Sequence, residues 1–457
     1  MHYLREISIK RVSIILIFFV ILMPLGVSSQ EFTLSELSRI ALQMSERMKI
    51  AEENLYITER EKDRAVAVLW PRFNIFGSHT HYTERNGDDG FILQPDYSNS
   101  WGLRLTHSLS LGGRELIAYD ITKDSIKKGR YDLDAVREDY LMEVTKLYFD
   151  LLKAKKAIEI AEANVKRLTR HRDAAKKRLE VGEVTKSVLL RAEAELAGAE
   201  AELLKSQNDY RLVKINLQRL VGLEEEFDIK EDGHPITIEP LVKDCHVTTL
   251  DCLKEIAIRK RADIIAAGLQ LQISEKEVRY TKGSYWPSLS IEGVYLREES
   301  EPSLTFSIDK RVYGVVRFDF PIFEGGLRRA EVNQMKARLR QAEYNISDLK
   351  RSITTEVESA YLNYLTESGL LESNRVKQRY ALDNFNAVSK QFEFGLVDSL
   401  DVIDANTLLL TTEREVVSAE YAYQLSIMRL KHAIGLLSED LLKGSASSPP
   451  DYNNRFE

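Results

Sequence analysis

The stretch Arg178–Leu196, RLEVGEVTKSVLLRAEAEL, decides the fold. One helical pattern runs into it, turns at Gly182, and a second helical pattern runs out. The turn returns 213 residues later as QFEFGLVDSLDVIDANTLLL, Gln391–Leu410, with Gly395 in the place of Gly182. A chain that builds one helical hairpin twice invites alignment of the rest of its length on the same offset.

The alignment extends outward in both directions. Leu111-Gly112-Gly113-Arg114 matches Glu324-Gly325-Gly326-Leu327, Tyr148 matches Tyr361, and Val221-Gly222-Leu223 matches Ile434-Gly435-Leu436, all at 213. Leu69-Trp70-Pro71 matches Tyr285-Trp286-Pro287 at 216, so one intervening loop is three residues shorter in the second half. Thr33-Leu34-Ser35-Glu36-Leu37 resembles Thr249-Leu250-Asp251-Cys252-Leu253. The chain therefore reads as a duplication: a first repeat over 30–223, a linker over 224–248 with Pro235 and Pro240, and a second repeat over 249–436. A tail over 437–457, with Gly-Ser-Ala-Ser-Ser-Pro-Pro from Gly444, reads as disordered.

The first 29 residues read as a secretory signal peptide. Arg5, Lys10 and Arg11 precede the apolar run Val12–Leu25, and Val27-Ser28-Ser29 supplies small residues for cleavage. An uncleaved anchor helix is the alternative. The run is short for it and contains Pro24. No cysteine follows the cleavage region, so a lipid-modified N-terminus is not expected. The three cations of the leader stand against Glu6, a net +2, and removing them takes the formal charge from −7 to −9. That balance disfavours nucleic-acid binding. With 44% hydrophobic and 30% charged residues, the chain is neither disordered nor a helical membrane protein. Its two cysteines, Cys245 and Cys252, are read equally well as a small-loop disulfide or as two free thiols. No histidine cluster accompanies them, so no metal site is expected.

Between leader and tail, prolines fall only at 71, 95, 235, 240, 287, 302 and 321. The proline-free spans are rich in Ala, Glu, Leu, Lys and Arg and predict long helices. Arg114 to Glu180 is one helix of roughly 100 Å at about 1.5 Å per residue, and Leu327 to Phe394 is its match. The return helices carry a coiled-coil seam at Leu189, Ala192, Leu196, Ala199, Leu203, Ser206, Tyr210, Val213, Leu217 and Leu220. It is repeated at Val402, Ala405, Leu409, Thr412, Val416, Ala419, Tyr423, Ser426, Leu430 and Ala433.

Between the Trp-Pro and Gly-Gly marks the period changes to two. Trp101, Leu103, Leu105, His107, Leu109 and Leu111 alternate with small or polar residues, as do Val316, Phe318 and Phe320. Their expected partners are Phe73–Tyr82 and Leu289–Tyr295, joined through loops at Thr83–Ser100 and Arg297–Lys310. Each half thus holds one hairpin of strands whose length suits a membrane crossing of about 9–11 residues. Four strands cannot close a barrel, and an open edge is not viable in lipid. If the strands span, several chains must share one barrel, and three chains give twelve strands. A small soluble sheet capping a helical bundle is the alternative.

At this point the chain resembles the TolC-type outer-membrane efflux channel family. The likeness covers nearly the whole mature chain: duplicated halves, Trp-Pro before the first strand of each hairpin, Gly-Gly after the second, and two helical tips. It implies a mainly α fold with transmembrane β: duplicated long helical hairpins forming an α-barrel, plus four strands per chain in a trimeric twelve-stranded outer-membrane barrel. It implies a homotrimer in outer-membrane lipid of a Gram-negative bacterium, reaching across the periplasm. The implied function is a passive exit duct of a tripartite efflux or type I secretion system. The implied partners are a periplasmic adaptor and an inner-membrane transporter, with no cofactor and no nucleic acid.

Site residues follow from the same resemblance. The tips Val181-Gly182 and Phe394-Gly395 correspond to grooves that receive the adaptor. Two aspartates that line the periplasmic entrance in some members, six and nine residues after the second glycine, are Asp401 and Asp404 here. Their spacing puts both on one helix face, and threefold symmetry would make a ring of six carboxylates. Asp398 reads as the N-cap of that helix. The helix–strand junctions are Trp70-Pro71, Trp286-Pro287, Gly112-Gly113 and Gly325-Gly326. The chain departs from the family at Val397, Phe392 and Val188, where an arginine, a tyrosine and an aspartate are expected, so the polar latch of some members has no counterpart at these positions.

Two other function classes compete with a passive exit duct. An enzyme is disfavoured, since no phosphate loop, metal-spaced His/Cys set or nucleophile elbow appears and the eight histidines are scattered. A non-pore structural coiled coil in the periplasm would need neither amphipathic strand hairpins nor a duplicated tip.

Overall fold

The absence of proline and the wealth of helix formers set the length of the helices, and left-handed glycines at 182, 222, 395 and 435 follow their ends. The computed structural model describes residues 30–88, 91–223, 225–231, 249–304 and 308–442. The expected leader, most of the linker and residues 443–457 lie outside the described residues. The elements are β1 (Gln30–Phe32), α1 (Leu34–Met44), α2 (Glu46–Val68), β2 (Arg72–His81), β3 (Asn86–Asp88), β4 (Phe91–Gln94), β5 (Tyr97–Ser110), α3 (Arg114–Glu180), α4 (Lys186–Val221) and β6 (Phe227–Ile229). The second half contains α5 (Leu250–Lys260), α6 (Ala262–Lys282), β7 (Ser288–Glu301), β8 (Lys310–Asp319), α7 (Leu327–Glu393), α8 (Ser399–Ala433) and α9 (Leu437–Leu442). Helices α3 and α7 have the same length, 67 residues. The chain divides into two compact units, one of residues 1–44 with 147–235 and one of 45–146 with 236–457.

In the first unit the end of α3 packs against α4 through the predicted seam. Ala192, Leu196, Ala199, Ser206 and Leu217 are buried, and Leu168 of α3 meets Leu196 and Ala199. Thr33 and Glu36 open α1 with a reciprocal capping pair: the Thr33 amide donates to Glu36 at 2.9 Å and the Glu36 amide to the Thr33 hydroxyl at 3.3 Å. Strand β6 runs parallel to β1. It lies inside the span read as a linker, so part of that span is a built strand. Phe227 and Ile229 are buried, while Asp228 gathers donors: the Ile229 amide at 2.8 Å, Lys155 at 3.2 Å and the Tyr210 hydroxyl at 3.2 Å. Burial raises the Asp228 carboxyl, yet these donors together hold it below the usual aspartate value. Burial, then the Asp228 charge, pushes the Tyr210 hydroxyl up to about 12.

In the second unit α7 and α8 pair along the repeated seam. Val402, Ala405, Leu409, Thr412, Val416, Ala419, Ser426, Leu430 and Ala433 are all buried, and Tyr364 stacks on Tyr423 with centroids 5.8 Å apart. Helices α5 and α6 cover the base of this hairpin, where Leu253, Ile256, Ile264, Ile353, Val357 and Leu430 form one core. Truncating such a residue to alanine costs about 2–5 kcal/mol. Cys252 is disulfide-bonded; Cys245 lies outside the described residues.

The reading of 437–457 as a disordered tail is corrected over its first six residues. Leu437 and Leu441, four apart, are buried, and α9 is held by Lys431 to Asp440 at 2.6 Å and by Ser438 to Glu138. Burial raises the Glu138 carboxyl above its ordinary range.

The strands form one antiparallel sheet in the order β2-β5-β7-β8. They outrun the predicted loops. Tyr97 pairs with Glu301 and Arg297 with Lys310, in stretches that are polar on both faces and so carry no alternation. A short hairpin, β3–β4, fills part of the first loop. Register sorts the faces, because directly paired residues point the same way. Phe73 opposes Leu105, Ile75 opposes Leu103, Leu289 opposes both Leu109 and Phe318, and Ile291 opposes Val316. This face is apolar and open; Val312 is 80% exposed. The other face carries Arg104 paired to Glu292 at 3.1 Å and Arg311 paired to Glu298, with Arg72, Arg317 and Asp319.

The Asp228 cluster yields a test. Since the folded carboxyl is the stronger acid, its stabilisation is complete above the unfolded value near ~3.9 and is lost as pH falls through the lower folded value. Asp228→Asn is expected to speed amide exchange at 227–230 about tenfold at pH 7, about 1.4 kcal/mol of local opening, and to flatten the acid dependence of that exchange. Unchanged exchange would remove Asp228 as the anchor of this strand.

Candidate functional site

Both helical tips are built by the same backbone device. In the first, the Gly182 amide donates to the Leu179 carbonyl at 3.1 Å and the Glu183 amide to the Arg178 carbonyl at 2.9 Å. In the second, Gly395 donates to Phe392 at 3.0 Å and Leu396 to Gln391 at 2.9 Å. These are paired 5→2 and 6→1 bonds that satisfy the last carbonyls of a helix, and they need a left-handed residue. Gly182 and Gly395 supply it with φ of +78° and +71°.

The side chains around the glycines differ. At the first tip Val181 is 70% exposed and Arg178 bonds Glu183 at 3.0 Å, so the turn is framed by an ion pair. At the second, Phe394 is 78% exposed and Leu396 and Leu400 are exposed beside it, leaving an apolar tip. Phe392, where the family resemblance expects a tyrosine, is buried beneath the turn. Sequence reasoning missed Leu396 and Leu400; the signal was one leucine in the turn and one in the first turn of α8, where a soluble tip is normally polar.

Asp398 caps α8 as expected. Its carboxylate accepts from the amides of Leu400 at 2.7 Å and Asp401 at 3.1 Å, while Asp401 accepts from the Asp398 amide at 3.1 Å. One of the two expected aperture acids therefore also closes a capping box. Asp401 and Asp404 are both exposed, one turn apart. The two tips lie in different units.

The junction residues share a different task. Trp70 and Trp286 are exposed where helix gives way to strand, and Pro71 and Pro287 end helical bonding. The Leu111 amide donates to the Pro287 carbonyl at 2.9 Å, which draws the two hairpins of the sheet together. A Cβ on Gly112 would lie 2.5 Å from the Gly283 carbonyl oxygen, so only glycine fits there. Gly113, Gly325 and Gly326 have positive φ, each just before a long helix. Among the described residues no group of three or more His, Cys, Asp or Glu could hold a metal ion, and no helix is long and apolar enough to cross a membrane.

Comparison with known proteins gives concordant results. The family model of outer membrane efflux proteins matches residues 37–223 and 253–436. The outer membrane protein TolC of Vibrio cholerae is 22% identical over 71% of this chain and 74% of its own length. The alkaline protease secretion protein AprF of Pseudomonas aeruginosa is 21% identical over 66% of this chain, which spans 62% of that protein. A crystal structure of CusC, reported for its transmembrane channel formation, superposes with a TM-score of 0.75 at 18% identity, covering 89% of this chain and 93% of its own.

The capping box offers a local test. Asp398→Ala is expected to destabilise the start of α8 by about 1 kcal/mol, seen as faster exchange at Leu400 and Asp401, while Asp398→Asn retains most of the protection. Equal loss in both variants would mean that charge, not capping, holds this turn.

Proposed function

This chain belongs to the outer membrane efflux protein family, and we propose that it is the outer-membrane exit duct of a tripartite efflux or type I secretion assembly. The family is one of channels, not of enzymes. The protein resides in the outer membrane and extends into the periplasm on its long helices. One observation carries the reading: a four-stranded sheet, apolar and open on one face and polar on the other, ends in two edge strands, β2 and β8. In a bilayer those edges need partners, and the smallest bacterial barrels hold about eight strands. Three chains pairing β8 of one with β2 of the next give a closed twelve-stranded barrel. Its apolar face then meets lipid and its Arg104–Glu292 face lines the lumen.

The duct performs no chemistry. A periplasmic adaptor docks on the tips at Val181, Gly182, Phe394 and Gly395, and energy comes from an inner-membrane transporter coupled to it. Asp401 and Asp404 from three copies form an acidic ring at the periplasmic aperture that repels anions. One relative is named for protease secretion and another for cation efflux, so one architecture serves unlike cargo. Cargo choice in this system belongs to the inner-membrane partner.

The expected behaviour is a heat-sensitive trimer that fractionates with the outer membrane. Gly395→Ala carries the backbone cost of about 1–2 kcal/mol at positive φ. Gly395→Glu adds a charge where the adaptor is to pack. Export should survive the first and fail in the second, with trimer amounts equal on unheated gels. Normal export in Gly395→Glu would refute docking at this tip, and a soluble monomer would refute the duct.

A further inference from the structure

The apolar face of the sheet ends before the strands do. On β2 that face runs Phe73, Ile75, Gly77, His79 and His81, and the register sets His79 opposite Asn99 and His81 opposite Tyr97 on β5. Beyond the pair of Gly77 with Trp101 the face turns polar, and β7 continues the two rows with Glu299 and Glu301. His79 and His81 are both exposed there, on an edge strand. Of the eight histidines in the chain, only these two stand two residues apart.

A spacing of two on a strand suits chelation. Both imidazoles leave the same face, and their Cα atoms are about 7 Å apart. Rings of that reach can meet on one ion, with each nitrogen at about 2.0–2.1 Å from the metal. His79 is already oriented for this. Asn99 Oδ1 can only accept, so the 2.6 Å contact makes His79 Nδ1 the donor and fixes its tautomer. The Nε2 lone pair is then left for a ligand, and the acceptor on Nδ1 raises its basicity, as happens behind metal-bound histidines. The Tyr97 ring, opposite His81, stands beside His79 with ring centres 5.9 Å apart.

We propose that His79 and His81 form a divalent transition-metal site, taking zinc, nickel or copper through two imidazole nitrogens. Imidazole selects these ions over magnesium and calcium, which prefer oxygen. Among the described residues no third His, Cys, Asp or Glu completes a protein cage. Water therefore fills the remaining positions, and the ion exchanges with solution. Strand β2 is an edge, so the ion sits beside the seam between copies in the twelve-stranded barrel. That the site faces the medium outside the cell rests on the exit-duct reading; the binding of metal by the pair does not.

The test titrates Zn2+ into the full-length trimer, purified without an affinity tag. One ion per chain is expected. Asn99→Ala, which keeps both ligands, is expected to weaken binding about tenfold, and His79→Gln and His81→Gln each to weaken it at least as much. With Cu2+ as the probe, electron paramagnetic resonance should show two imidazole nitrogens in the parent protein and one in either histidine variant. Equal trimer amounts on unheated gels control for folding. Absence of binding overturns the proposal, and so does binding undiminished in the His79→Gln, His81→Gln double variant, which places the ion elsewhere. Treating cells that carry His81→Cys with a membrane-impermeant maleimide separates the two levels. Labelling above that of the parent supports a site facing outward. Zinc bound by the parent with no labelling of His81→Cys leaves the metal site standing and refutes the orientation drawn from the duct.

Discussion

Inside a bilayer the backbone groups along the edge of a sheet have no water to turn to. Each unpaired amide or carbonyl there costs several kcal/mol, so a strand edge in lipid must find another strand. Strands β2 and β8 each offer a ten-residue edge, and the apolar face beside them is open. A single chain of this kind is unfinished. Its remaining features serve to deliver the same sheet fragment, in the same register, from several copies at once. Helices α3 and α7 have the same length, 67 residues, so in each half the tip follows its Gly-Gly pair by the same run of helix.

The change from helix to strand is the difficult part of such a chain, and its chemistry is concentrated in few residues. A helix is stopped by proline at 71 and 287, and strand gives way to helix through Gly-Gly pairs at 112–113 and 325–326. The contact of Gly112 on the Gly283 carbonyl shows why the pair cannot drift: the chain approaches so closely at the base of β5 and β7 that a methyl group has no room. The two hairpins meet at β5 and β7 over fourteen residue pairs, so one chain contributes a continuous sheet and not two separate ribbons.

Much of this is legible in the sequence, for physical reasons. Proline exclusion and helix-forming composition over long spans leave little alternative to long helices. Strict alternation at Trp101–Leu111 has one meaning in a strand. The tip glycines stand out because they recur at one offset. Less legible is order sustained by few residues. The β6 segment is held by Asp228 and its donors, and α9 by Ser438 and Asp440, through contacts that mostly reach far along the chain. The ends of β5 and β7 fall where the sequence predicts loops, since beyond the apolar layer a strand needs no greasy face and only the ladder reveals it. The pairing of Arg104 with Glu292 depends on the register of two strands from different repeats. Asp401, which the family resemblance leads one to expect at the aperture, closes a capping box with Asp398, a use that residue type alone does not disclose.

The two tips share one turn and differ in the side chains around it. A left-handed glycine and two backbone bonds specify each turn, and the exposed side chains around it take no part in those bonds. One tip holds the Arg178–Glu183 ion pair and has Val188 where an acid is expected; the other exposes Phe394 and Leu396 and follows them with Asp401 and Asp404. An exposed ion pair contributes little to stability, whereas exposed aromatic and aliphatic groups gain whenever something covers them. A protein that grips both tips must offer polar complementarity to one and apolar cover to the other.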